Sequence, residues 1–299
     1  MEGETLKRNF KFKTVQKDRP NLMGSNSYEY QYKEYWLNAL IPFNKDDYSI
    51  DISPASEAAS VSVLFGAKEY DSNNIKIYFR QFISQLVSHL TRQKKLYYEI
   101  SSIEDNEHLF SLRFINDISV YEKRGYLIQN HSKNHHVSEK LENLFIINEP
   151  NWIENKQGFQ DVISHLKQET IRKNKSMDIL TSSISGTKNH YFDYHIFNNT
   201  GTNYVLKLTK GSGWTPRLIT NNQSLTSYYK IYRYILFKMT VAKLREEILR
   251  EINFYLIPKL KQRGSKIESI NYNSKYTVKY YEELLTKLES GSISLSEII

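Results

Sequence analysis

Cysteine is absent from the 299-residue chain, which excludes disulfides, thiolate metal sites and a cysteine nucleophile and suits a reducing compartment. Long apolar runs are absent too. The strongest candidate, Tyr228 to Ile257, is interrupted by Lys230, Arg233, Lys238, Lys243 and Arg245, so no membrane span is expected. The opening residues MEGETLKRNFKFK lack the apolar core of a signal peptide. A soluble protein is expected, cytoplasmic or virion-associated.

Catalytic signatures are also lacking. Gly211-Ser212-Gly213 is not followed by a Lys-Ser/Thr pair, and Trp214 and Pro216 oppose a helix starting there, so a phosphate-binding loop is not expected. No serine sits in a nucleophile elbow. In HSKNHH, His131 and His135 would share a helix face with Glu139, but the stretch is polar and reads as a solvated loop rather than a metal site. In NHYFDYH, a strand would place Asp193 and His195 on one face and His190 on the other. Glu104, Asp105 and Glu107 read as a hairpin turn, without the lysine that nuclease chemistry wants nearby. No catalytic residue, metal or cofactor is assigned. A metal-dependent nuclease using His131, His135 and nearby acids is the least supported reading.

What the chain has is positive charge and tyrosine. Its formal net charge is +8, which favours polyanionic partners, nucleic acid first, with DNA ahead of RNA. It carries 23 Tyr and 14 Phe against only 11 Gly and 6 Pro. Tyrosine-rich surfaces provide large contact areas with polar tips. AT-biased codon usage would raise Tyr, Asn, Lys and Ile as well.

Along the chain, residues 1–40 read as a basic and aromatic arm with a lead-in. Lys7, Arg8, Lys11 and Lys13 interleave with Phe10 and Phe12, a pattern suited to a phosphate backbone. Residues 44–60 read as a loop. The spacing of Ile75, Phe79, Phe82, Ile83, Leu86, Val87 and Leu90 predicts an amphipathic helix. Short, partly alternating runs between Tyr97 and Gln129 predict a small antiparallel sheet built from hairpins, with a further strand at Leu144 to Ile147. Helical spacing returns at Gly158 to Arg172. Residues 173–202 read as a flexible connection and Tyr204 to Thr209 as a strand. Gly211 to Arg217 reads as a tight, rigid-ended turn. A long helix is expected over 224–257, ended by Pro258 and Gly264, and a shorter one over Thr277 to Leu288. The fold class is therefore α+β, with an α+β domain over 41–175 and a mainly helical region over 176–299.

Binding residues follow from this layout. On the long helix Lys238, Lys243, Arg245 and Arg250 join the arm as candidate nucleic-acid contacts. Trp214, Arg217, Tyr228, Tyr229, Tyr232 and Arg233 combine arginine with aromatic rings, as interface hot spots do. They could equally anchor a turn and line a helix seam.

One arrangement carries a family resemblance. A helix at Ile75 to Leu90 leads into Leu96-Tyr97-Tyr98-Glu99-Ile100 and then into hairpin strands ending at Tyr126-Leu127-Ile128-Gln129. Leu144-Phe145-Ile146-Ile147, a helix and a long C-terminal helix follow. This order is similar to the clip-wing-stem layout of bacteriophage portal proteins, over about half of the chain. The Gly211 to Arg217 turn has no counterpart in that layout, and no functional residue carries over. The resemblance implies a non-catalytic assembly subunit that contacts nucleic acid, with a ring of like chains as the form such an assembly takes. The alternative is a nucleic-acid-binding or scaffold subunit of a multi-protein bacterial anti-phage complex, which would need another protein as partner.

Overall fold

The computed structural model describes residues 8, 10–13, 27–41, 47–69, 73–104, 106–116, 120–132, 135–183, 194–217 and 226–294. The protein is α+β. It divides into two compact units, one made of Met1–Pro20, Leu40–Glu149 and Leu244–Lys275, the other of Asn21–Ala39, Pro150–Lys243 and Tyr276–Ile299. Among the described residues no helix is long and apolar enough to cross a membrane.

The first unit is built on antiparallel strands. Strand β2 (Lys95–Ile103) lies between β3 (Asn106–Ile115) and β7 (Phe145–Asn148), the hairpin and further strand expected from the alternation. Tyr97 faces Ile115 and Tyr98 faces Phe114 across the ladder. Helix α3 (Ile75–Leu90) forms as its spacing predicts, burying Phe79, Phe82, Ile83, Leu86, Val87 and Leu90. Its last turn carries His89, whose ring stacks on Phe114 with centroids 3.6 Å apart. Burial, with a smaller contribution from Arg92, pushes the imidazole down to about 4, so at neutral pH it packs as an uncharged ring.

A second three-stranded sheet joins β4 (Val120–Lys123), β5 (Tyr126–Ser132) and β6 (His135–Lys140) in that order. The two residues between β4 and β5, Arg124 and Gly125, both have positive φ, +50° and +80°. That is the backbone of the tight turn which matches the twist of a hairpin. One side of this sheet packs into a core of Phe12, Tyr97, Ile115, Leu127 and Leu144, with Val120 and Val137 against it.

Several expectations are corrected here. The segment read as a loop over 44–60 contains β1 (Ser49–Ser53), a 3-10 turn (Ala55–Glu57) and the start of α2 (Ala58–Leu64). Strand β1 exists because it pairs antiparallel with β8 (Ser269–Asn273), whose residues lie over two hundred positions later. HSKNHH, read as a loop, supplies the end of β5 and the start of β6. The side chains of His131 and His135 lie outside the described residues, as does Asp105.

The second unit is helical: α1 (Tyr28–Ala39), α4 (Gly158–Ser183), α5 (Tyr194–Leu208), the first part of α6 (Ser227–Glu251) and α8 (Val278–Glu289). Helix α8 starts where Thr277 accepts the Tyr280 amide with its side chain, a regular N-cap. The 158–172 helix runs eleven residues further than expected, and Tyr194–Leu208 is helical rather than a connection ending in a strand. Within Tyr204–Thr209, Val205, Leu206 and Thr209 are buried together with Gly201 and Thr202, a three-to-four spacing that a six-residue alternation hides. His190 and Asp193 lie outside the described residues.

The long helix is corrected at its end. After α6 comes a π turn (Ile252–Leu256), and α7 (Ile257–Gln262) continues through Pro258. Proline lacks the amide hydrogen and crowds the carbonyl four residues back. The wider π turn just upstream opens that spacing. Gly264, at φ +98°, is where the helix stops.

The core of the second unit is aromatic. Trp36 packs edge-on against Phe159 at 5.0 Å and Phe237 at 5.4 Å, and Tyr32 against Trp214 at 5.1 Å. Beside them sits a buried polar knot. Glu154, Asn155 and Lys156 run consecutively at positive φ. The Glu154 carboxylate accepts from the Tyr32 hydroxyl at 2.9 Å, the Ser212 amide at 3.0 Å and the Ser212 hydroxyl. Burial raises its pKa against the pull of these donors.

Candidate nucleic-acid interface

The residues singled out in the sequence separate into three groups. The first is buried. Trp214 has no exposed surface, and Arg233 and Arg245 are 2% and 4% exposed. Arg233 donates to the carbonyls of Leu206, Thr209 and Trp214 and to the hydroxyls of Thr209, Thr215 and Tyr229. It thereby ties α5, the Gly211–Arg217 turn and α6 together. Arg245 donates to the Leu40 carbonyl at 3.2 Å and lies over the Tyr272 ring. These three side chains hold the fold and present nothing to a partner.

The second group is docked or paired. Lys7 lies outside the described residues. Arg8 donates to the Ala67 carbonyl. Phe10 lies beneath the Arg113 guanidinium at 4.2 Å, and Phe12 is core. The Lys11 amide donates to Glu99 at 2.5 Å while its ammonium pairs with Glu139. Lys13 exchanges two backbone hydrogen bonds with the Gln129 side chain. Residues 10–13 are thus fastened to the first unit. Lys238 lies over the Tyr234 ring, and burial lowers its pKa. Lys243 lies over Trp152 at 4.5 Å, Arg250 pairs with Glu247 at 3.3 Å, and Arg217 pairs with Glu34 at 3.0 Å.

The third group is aromatic. Tyr228 is 44% exposed and stacks on Tyr232, while Tyr229 is half-buried beneath Arg233. The candidate cations of the long helix, Lys238, Lys243, Arg245 and Arg250, are therefore each buried, paired or laid over a ring.

Two surfaces of the first unit went unnoticed in the sequence. One is the end of α7, where Lys259, Lys261, Arg263 and Lys266 occur within eight residues without an acid among them. Lys259 donates to the carbonyls of Glu142 and Leu144 at 2.5 and 2.7 Å. Arg263 donates to those of Ile100 and Asn143 at 2.9 and 3.0 Å. Bonding to carbonyls orients these cations without neutralising them. Burial lowers the Lys259 pKa, and the neighbouring Arg263 charge lowers it further. Lys261 and Lys266 are exposed. The helix C-terminus is a favourable place for positive charge, and here it holds more than the helix needs. A cavity of about 490 Å³ opens beside it, lined by Lys11, Ser101, Ser102, Asn143 and Arg263 together with Glu99 and Glu139.

The four cations were visible in the sequence as a run without acids. The expected helix stop at Pro258 obscured that they share one helix end. The other surface is the outer face of the β4–β5–β6 sheet. Among the described residues no group of three His, Asp or Glu could hold a metal ion. No protein-family model matches the chain and no curated protein matches it, so the portal likeness rests on the order of elements alone.

Proposed function

We propose that the protein is a non-catalytic assembly subunit that contacts nucleic acid, acting as a component of a portal-like ring. The observation that carries the nucleic-acid part is the α7 end, where cations bonded to backbone carbonyls stand with exposed Lys261 and Lys266. Such a cluster suits phosphates, whose binding releases counterions and is steeply salt-dependent. The order of elements, read with the length of the α6–α7 helix, supports the ring.

Replacing Lys261 and Lys266 together by Ala should weaken binding to duplex DNA of any sequence. The slope of log affinity against log salt should shrink by about 2, close to one for each phosphate no longer engaged. Both lysines are exposed, so the fold should be unaffected. Titrations by fluorescence anisotropy between about 50 and 300 mM salt read the slope. Binding that does not depend on salt, or a slope unchanged by the double substitution, would reject this face.

A further inference from the structure

We propose that the outer face of the β4–β5–β6 sheet is a stacking platform for a single strand of nucleic acid, a finer statement that rests on the nucleic-acid reading above. Strand alternation sorts the side chains into two sets. Val120, Leu127 and Val137 point to the core. On that same side Glu122 is held by Lys95 and Tyr97, whose hydrogen bonds keep its carboxyl below the usual range, and Gln129 is fastened to Lys13.

The opposite face carries Tyr121, Lys123, Tyr126, Ser138 and Lys140, all exposed. The ladder pairs Lys123 with Tyr126 and Tyr126 with Lys140, and it pairs Tyr121 with Ile128. Tyr121 and Tyr126 are therefore diagonal neighbours, with backbones about 7–8 Å apart, and their rings are 46% and 39% exposed. Arg124 adds an exposed cation at the hairpin tip, in the tight turn.

Among the described residues no carboxylate belongs to this face. Glu142 follows β6 in the 141–143 turn and pairs with Lys140 at 3.2 Å. Among the described residues Lys123 and Arg124 form no ion pair. Two open aromatic rings with unneutralised cations between and beside them match a chain of bases and phosphates. Base–aromatic stacking tolerates any sequence because every base has a π-face. A duplex keeps those faces covered, so an unpaired strand is the form that fits.

The test compares a labelled thymidine oligomer of about twelve nucleotides, within the usual span of such sites, with an abasic oligomer of equal length that keeps the phosphates. The full-length protein should bind the thymidine oligomer about tenfold or more tightly than the abasic one. Tyr121→Ala and Tyr126→Ala should each lower thymidine binding by about fivefold or more and leave abasic binding unchanged. The Tyr→Phe variants should keep wild-type affinity, because the ring does the stacking. Lys123→Ala should weaken both oligomers alike.

Equal affinity for the two oligomers, or alanine variants with unaltered thymidine binding, would overturn the platform and make the face a protein contact instead. Duplex binding through Lys261 and Lys266 would survive that result. A protein that bound neither duplex nor single strand would lose both readings together.

Discussion

Arg233→Met should lower the stability of the helical unit by about 3–5 kcal/mol, because several buried acceptors lose their donor at about 1–3 kcal/mol each. Arg233 is 2% exposed, and its guanidinium reaches three carbonyls and three hydroxyls. Methionine keeps most of the aliphatic volume, so the loss reflects acceptors left buried without donors rather than a cavity. Removing the guanidinium also relieves its own desolvation, the main cause of its lowered pKa, and this keeps the effect below the sum of the broken bonds. Arg233→Lys should recover less than half. A point ammonium with three donors cannot reproduce a planar fork spanning α5, the turn and α6. The readout is specific, because Trp36, Trp152 and Trp214 all belong to this unit and are the chain's 3 tryptophans. A urea midpoint followed by tryptophan fluorescence, with an unchanged m value, measures the effect. A loss below about 1 kcal/mol would mean that the arginine is dispensable and the knot is held by packing.

Gly213→Ala should cost at least about 3 kcal/mol in the same transition, combining left-handed strain with a clash. Gly213 has φ +76°, and an added Cβ would lie 2.6 Å from the Arg233 carbonyl oxygen and 2.9 Å from the Phe237 amide nitrogen. Both are backbone atoms of α6, and a helix backbone cannot swing aside as a side-chain tip can. Gly125 supplies the control. Its φ is +80°, but a Cβ there meets nothing within 4 Å, so Gly125→Ala should cost only about 1–2 kcal/mol from backbone strain. Far-UV circular dichroism reads the Gly125 variant, whose unit has no tryptophan. Equal costs at the two glycines would show that the turn is not wedged against the helix.

Both predictions concern a region whose rigidity was legible in the sequence but whose place in the fold was not. Gly211 to Arg217 reads as a stiff turn from its own residues. Nothing in the string shows that Gly211 lies against the backbone of Glu154 and Asn155, or that Ser212 feeds a buried carboxylate. The same limit explains Arg233 and Arg245. Helix α6 is buried around much of its circumference, at Ile231, Arg233, Ile235, Phe237, Val241, Leu244, Arg245 and Ile248. On such a helix a charged residue is no guide to the solvent side.

Elements with strong local periodicity were legible: α3, the β2–β3 hairpin and α8 lie close to where their spacing places them. Elements that depend on distant partners were not. Strand β1 is held by β8, and no local pattern in a five-residue strand announces such a partner. At Pro258 a reliable local rule met a π turn that lifts the restriction the rule rests on. The candidate surfaces divide in the same way. The run Lys259, Lys261, Arg263 and Lys266 can be read directly from composition. The Tyr121, Lys123, Tyr126 and Lys140 face appears only once the register sets those four residues side by side.

The most direct test of an assembly subunit that contacts nucleic acid is the mass of the purified full-length protein by light scattering, with absorbance at about 260 and 280 nm recorded on the same peak. The account predicts a homogeneous particle of many chains, carrying nucleic acid at low salt and releasing it as salt rises. A monomer free of nucleic acid, unaltered by added DNA, would contradict it.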